Sequence, residues 1–122
     1  MSTVSRGRMA EDYVAKYLSQ RGCEILARNY TIRGGEIDLI VRDGGCVAFV
    51  EVKARGSSSL YAPREAVTKT KRMRLIRTAE EYLKRERPNG MPRFDVVELI
   101  LRPGEEFTVL QMHYLKNAFD AG

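Results

Sequence analysis

The stretch GEIDLIVRDGGCVAFVEVKAR, residues 35–55, decides the fold, because it predicts two neighbouring strands joined by a tight turn. Glu36–Val41 and Cys46–Val52 are rich in β-branched and other apolar residues, as strands are. Asp43–Gly45 separates them and is a hairpin signal. The two strands are therefore predicted to pair in antiparallel fashion near the centre of a sheet.

Acidic residues interrupt these apolar strands: Glu36 and Asp38 on the first and Glu51 on the second, with Lys53 two residues after Glu51. Alternation places Glu51 and Lys53 on one face, about 7 Å apart. A two-residue turn at Gly44–Gly45 would put Asp38 opposite Glu51, and a turn at Asp43–Gly44 would make them diagonal neighbours. A plain three-residue loop would place them on opposite faces.

Two carboxylates close together repel each other unless a cation joins them, and oxygen ligands of this kind suit Mg²⁺ or Mn²⁺. A zinc site is not expected, because the chain has one histidine, His113, and no cysteine pair at ligand spacing. The alternative is a solvated hairpin face with salt bridges from Glu51 to Lys53 or from Asp38 to Arg55. The spacing alone leaves both interpretations open.

The remaining elements follow from apolar periodicity and turn residues. They are a helix over Gly7–Gln20, a strand over Glu24–Tyr30, a helix over Pro63–Arg87, strands over Phe94–Leu101 and Phe107–Met112, and a short helix over Tyr114–Phe119. The predicted class is α/β, with a central mixed sheet flanked by helices in the order αβββαββ(α).

Composition limits the number of domains and the class of protein. The chain has 122 residues, 43% hydrophobic and 30% charged, which predicts one folded domain over residues 1–122 and excludes a disordered chain. No apolar run approaches the roughly 18 residues of a membrane span. Met1–Arg6 has no apolar segment typical of a signal peptide, so we expect a cytoplasmic protein without membrane contact.

The positive charge is concentrated in one region. The net charge is +5, and Pro63–Arg93 has ten basic residues against four acidic ones. Such a region predicts a polyanionic partner, with a solvated helix face as the alternative. On the predicted helix, Arg72 falls within the apolar stripe and Lys71 at its edge. Both are expected to point toward the site carboxylates or a phosphate, unless their stems simply snorkel past the sheet.

A longer pattern is more specific than these features. The chain has an Asp, a gap of twelve residues, and then Glu-Val-Lys, which resembles the core of the PD-(D/E)xK nuclease superfamily, with Ile37 in place of its usual proline. Further blocks occur in the order of the bacterial YraN family (UPF0102), which the chain resembles from about Gly7 to Leu101. These blocks are Ala10–Glu11, Ala15–Leu18, Ile25–Asn29, Gly35–Ile40, Phe49–Arg55, Glu65–Val67, Lys71, Leu75, Ala79, Tyr82–Leu83 and Arg93–Val97.

That family is similar to archaeal Holliday-junction resolvases, which have a restriction-endonuclease-like fold. The resemblance implies a Mg²⁺-dependent endonuclease acting on DNA, with branched or structured DNA as its substrate. A nucleic-acid-binding module that does not cut, and a nuclease directed at RNA, are the alternatives. Resolution of a four-way junction would require a homodimer, because one domain of this size has room for one site. A larger protein would supply targeting.

The resemblance also implies residue roles. Asp38 and Glu51 would hold the metal with the Val52 carbonyl, Lys53 would orient the attacking water or stabilise the transition state, and Glu11 would hold a metal-bound water. Basic residues are expected to contact phosphates: Arg55, Lys71, Arg72, Arg74 and Arg77. Two acidic residues are expected to support the site or to form structural ion pairs: Glu36 and Asp95.

Overall fold

Two helices and five strands make up the computed structural model, which describes residues 3–56 and 68–121. In chain order they are α1 (Thr3–Gln20), β1 (Glu24–Ile32), β2 (Gly35–Asp43), β3 (Cys46–Gly56), α2 (Lys69–Glu86), β4 (Met91–Leu101) and β5 (Val109–Phe119). None of the helices in the described residues is long and apolar enough to cross a membrane.

The five strands form one mixed sheet in the order β1-β2-β3-β4-β5. All neighbours pair in antiparallel fashion except β3 and β4, which run parallel and are connected through α2. Strand β4 lies between β3 and β5 and is buried from Phe94 to Leu101, as its continuous apolar run predicts. The α/β class and the mixed sheet flanked by helices are confirmed, in an arrangement consistent with a restriction-endonuclease-like fold.

Each helix covers its own hydrophobic cluster. Ala10, Val14 and Leu18 recur along one stripe of α1 and pack with Leu39 and Val50 of the sheet. The chain leaves this helix at Gly22, whose φ of 89° is the left-handed conformation common at helix C-termini, and the N–H of Cys23 donates to the Leu18 carbonyl at 3.0 Å.

The stripe of α2 packs on the β1–β2 side of the sheet. Leu75, Ala79 and Tyr82 are buried there, as their spacing predicts. The helix begins at Lys69, because Thr68 has an extended backbone and its hydroxyl accepts a hydrogen bond from the N–H of Lys71 at 3.1 Å. The predicted start at Pro63 lies outside the described residues.

The predicted C-terminal helix over Tyr114–Phe119 is wrong, because this segment continues β5 and the order is αβββαββ. Tyr114 pairs with Val97, and Phe119 stacks on Phe94 with ring centroids 4.9 Å apart. Asn117, with φ at 53°, shifts the register between these two points. Pairing with β4 therefore outweighs a weak local helical signal.

Candidate functional site

The turn between β2 and β3 sets the register of the two site carboxylates. Asp43 pairs with Cys46, so the turn is the two-residue Gly44–Gly45, one of the three alternatives considered. The pairing continues to Leu39 and Val50 and ends there. Asp38 and Glu51 follow directly beyond the last pair, and the two carboxyl groups interact with each other there.

Asp38 bridges β2 and β3 by a hydrogen bond at the point where the two strands stop pairing. Its Oδ2 accepts a hydrogen bond of 2.8 Å from the backbone N–H of Val52. A carboxylate thus satisfies a strand N–H, and the Asp38 side chain is fixed beside the Glu51–Val52 peptide.

Burial and the charges of neighbouring carboxyl groups shift the pKa values at this site. Burial first, and then the charge of Glu51, raise the pKa of Asp38 to about 7, although the Val52 N–H opposes the shift. Burial also raises the pKa of Glu51. A third carboxyl, Glu11 of α1, has its pKa raised by burial and by Asp38. The exposed Glu36 adds negative charge to all three, so it belongs to the same electrostatic cluster.

Two lysines oppose this negative charge. Lys53 and, to a smaller extent, Lys71 lower the pKa of Glu51. Lys53 is half-buried on β3, two residues beyond Glu51, and Lys71 comes from the first turn of α2. The site therefore combines carboxylates from three elements with cations from two.

Arg55 does not form the ion pair with Asp38 that was one of the two salt bridges of the alternative interpretation. Its Nη1 lies 3.3 Å from Oε2 of Glu98, a buried carboxylate on β4. Asp38 is thus left facing other carboxylates rather than an arginine, which is unlike a simple surface ion pair.

The donor set at the site consists of oxygens. Within residues 3–56 and 68–121, no three His, Cys, Asp or Glu side chains form a group able to hold a metal ion. A bound ion would therefore depend on Asp38 and Glu51 together with backbone and water oxygens. Hard cations such as Mg²⁺ bind in this way, through one or two carboxylates with several retained waters. The Asp38–Glu51 pair fits such an ion, and the Val52 carbonyl stays a predicted ligand.

A cleft of about 830 Å³ adjoins Glu51. One wall is the turn between β1 and β2 with the following residues, and the other is α2. Lys71, Arg74 and Arg77 line it, as expected for phosphate contacts, whereas Arg72 is exposed and is not part of the described lining. The cleft joins a basic row of α2 directly to one of the two site carboxylates.

Asp95, which was expected to support the site or to form a structural ion pair, does not interact with the carboxylates of the site but with residues of β4 and β5. It is 1% exposed and accepts hydrogen bonds from Arg93 at 2.9 Å, from the Tyr114 hydroxyl at 2.8 Å and from the N–H of Asn117 at 3.0 Å. Arg93 also binds Asp43 at 2.8 Å. Asp95 therefore forms the structural buried pair that was the alternative to a role in the site.

Sequence reasoning missed Asn29 and the turn between β1 and β2. Asn29 has a φ of 51° and its side chain hydrogen-bonds Glu11. An asparagine within an otherwise β-like run was the available signal, because this residue tolerates the left-handed conformation. The turn between β1 and β2 had no such signal, because it forms a wall of the cleft only through its packing against α2.

The profile of Uncharacterised protein family UPF0102 matches residues 10–99. A UPF0102 protein of Symbiobacterium thermophilum is 45% identical over 116 residues, covering 94% of this chain and 96% of its own. A UPF0102 protein of Dictyoglomus turgidum is 40% identical over 120 residues, covering 98% of this chain and 100% of its own. One of Pelotomaculum thermopropionicum is 41% identical over 114 residues, covering 93% of both chains.

Proposed function

The chain belongs to the uncharacterised protein family UPF0102, and from its site we propose that it is a divalent-metal-dependent nuclease hydrolysing phosphodiester bonds in DNA. Branched or structured DNA is its proposed substrate. The observation that carries the proposal is the hydrogen bond from the Val52 N–H to Asp38, which holds this carboxyl group beside Glu51 where the pairing of β2 and β3 ends. Half-buried carboxyl groups that repel each other cost stability, and perturbed groups of this kind are concentrated at functional sites.

Asp38, Glu51 and the Val52 carbonyl are proposed to hold Mg²⁺ or Mn²⁺. When bound, such an ion lowers the pKa of a coordinated water and neutralises negative charge on the phosphate. Asp38 is suited to this role because the hydrogen bond from Val52 to Oδ2 fixes its carboxylate next to Glu51. Glu51 is suited because burial and the charge of Glu36 raise its pKa, and a metal ion would add to the opposing effect of Lys53.

Lys53 and Glu11 are proposed to assist from opposite sides. Lys53 already interacts with Glu51, and a half-buried ammonium there can hold the attacking water or stabilise charge on the phosphate oxygens. Glu11 reaches Asp38 from α1, where it can hold a water bound to the metal. Neither residue needs to bind the metal directly in this scheme.

A second candidate function is a nucleic-acid-binding module that does not cut. It is favoured by one observation, the lack of a group of three metal-binding side chains in the described part of the chain. The basic cleft would then be the functional surface. A nuclease directed at RNA is a variant of the first proposal, distinguished only by the sugar of the substrate.

The test is a cleavage assay on a four-way junction, a flap, a duplex, single-stranded DNA and RNA, each with Mg²⁺, Mn²⁺ or EDTA. We expect metal-dependent cleavage that is greatest on branched DNA and is lost in Asp38→Asn. Lys53→Gln should reduce the rate by roughly 10²–10³-fold, the usual effect of removing a group that stabilises transition-state charge. Asp120→Asn and Lys16→Gln are matched controls at exposed positions and should behave as wild type.

Binding without cleavage under every metal condition would favour the second candidate. Cleavage that survives Asp38→Asn would exclude this site as its source. On a junction, paired cuts should require a homodimer, which light scattering of the protein–junction complex detects. A larger targeting protein is proposed for the cell, because the described chain offers one basic cleft beside one site.

A further inference from the structure

We propose that the cleft between α2 and the turn joining β1 to β2 holds a single-stranded segment of nucleic acid beside the cut, with Arg74 and Arg77 on its phosphates. The inference deepens the proposed nuclease function and names the form in which the substrate enters the site. It rests on the lining, the size and the direction of the cleft.

The basic row gives the cleft its direction. Lys71, Arg74 and Arg77 are spaced by three residues along α2 and line the cleft together. At 1.5 Å per residue the row extends roughly 9 Å along the helix axis. Lys71 lines the cleft together with Glu51 and is the residue of the row that acts on its charge, so the row begins beside this carboxylate. A chain of phosphates entering the site along α2 would meet these side chains in turn.

The opposite wall fixes the width of the cleft. It is formed by Thr31, Ile32 and the chain from Gly34 to Glu36. Gly35 packs so closely on α2 that a Cβ atom there would lie 3.3 Å from the Arg74 carbonyl and would collide with the Thr78 hydroxyl. The turn is therefore anchored against the helix rather than separated from it.

The size of the cleft favours one strand over two. A volume of about 830 Å³ lies within the roughly 300–1,000 Å³ that encloses a drug-sized molecule. One or two nucleotides of a single strand have that size. Ile32 and Leu75 add apolar surface against which a base can pack, while the arginines supply sequence-independent phosphate contacts.

Binding to fluorescent oligothymidylate and to a duplex of equal length, measured by anisotropy in EDTA over a range of salt, tests this inference. We expect wild type to prefer the single strand. The double variant Arg74→Gln/Arg77→Gln should bind it about tenfold or more weakly. The salt slope should fall by about 1.4, because each phosphate contact to a single strand contributes about 0.7. An RNA strand should bind within about threefold of DNA, since phosphates alone are contacted.

Lys84→Gln/Arg85→Gln is the matched control, because it removes the same charge from the last turn of the same helix, away from the cleft lining. It should bind within about twofold of wild type. Equal binding by the Arg74/Arg77 variant and this control, a preference for duplex, or a strict requirement for one sugar would each overturn the inference.

The design separates this inference from the proposed function. Cleavage that is unaffected by the Arg74/Arg77 variant at low substrate concentration would reject the strand-binding cleft and leave the nuclease proposal standing. Binding as described, with no cleavage of any substrate in Mg²⁺ or Mn²⁺, would reject the nuclease proposal and leave the cleft. Thermal unfolding of each variant shows whether a loss of binding reflects a loss of fold.

Discussion

The backbone N–H of Val52 donates a hydrogen bond of 2.8 Å to Oδ2 of Asp38, across the point at which β2 and β3 stop pairing. This bond stabilises the ionised carboxylate, but burial and Glu51 outweigh it and raise the pKa of Asp38 to about 7. The side chain is therefore held in place while its charge is unfavourable. A site of this kind gains stability when a proton or a cation arrives.

The first prediction concerns the stability of the metal-free protein. The pKa of Asp38 is about 7 in the folded chain against 3.8 as its ordinary value, so the folded state binds the extra proton between these limits. The contribution of Asp38 to the stability of the folded state should therefore fall as pH rises from about 4 to about 7. Asp38→Asn removes this dependence and keeps an oxygen for the Val52 N–H. In EDTA at pH 8 it should be more stable than wild type by roughly 1–2 kcal/mol.

Thermal unfolding in EDTA at pH 4.5 and pH 8 checks this expectation. The gain in Asp38→Asn should be present at pH 8 and small at pH 4.5. Asp120→Asn, at an exposed position, should match wild type at both pH values. A variant that is less stable than wild type at pH 8 would contradict the unfavourable charge assigned to Asp38.

The second prediction concerns Mg²⁺. Because an ion between Asp38 and Glu51 would bind the folded state and relieve their repulsion, adding Mg²⁺ at pH 8 should raise the melting temperature of wild type. The shift should be smaller at pH 6, where protons compete for Asp38. It should disappear in Asp38→Asn and in Glu51→Gln, and it should reverse on addition of EDTA. Equal shifts in wild type and both variants would point to binding elsewhere.

Local patterns predicted the parts of the molecule that depend on neighbouring residues in sequence. The pairing of β2 with β3 could be predicted, down to three alternatives, because side chains alternate along strands and turn length fixes pairing. The second half of β5 could not, because Tyr114–Phe119 becomes a strand only through its contacts with β4. The cleft could not either, since it requires the packing of Gly35 on Thr78.

The third prediction is that Asp95 contributes to the stability of the fold and not to the function of the site. Asp95 is buried and accepts hydrogen bonds from Arg93, Tyr114 and Asn117, so removing its charge leaves Arg93 partly unpaired in the interior. Asp95→Asn should lower the free energy of unfolding by roughly 3 kcal/mol, as broken buried pairs do. Asp43→Asn should cost less, because that carboxylate is partly exposed.

Denaturant unfolding measures both costs, and nucleic-acid binding by the folded fraction measures function. Binding per folded molecule should be unchanged in Asp95→Asn, because no partner of Asp95 lines the cleft beside Glu51 among the described residues. A variant with normal stability and impaired binding would return Asp95 to the supporting role that the sequence suggested.

The fourth prediction concerns the contact that anchors the wall of the cleft. Gly35→Ala places a methyl group against the Thr78 hydroxyl, which itself donates to the Arg74 carbonyl at 2.7 Å. We expect Gly35→Ala to destabilise the protein by roughly 1–3 kcal/mol, as overpacking does. Thr78→Ala removes the oxygen that collides, so the double variant should lose less stability than the sum of the two single variants. Denaturant unfolding of all four proteins measures this coupling, and additive losses would show that Gly35 does not pack on Thr78 in solution.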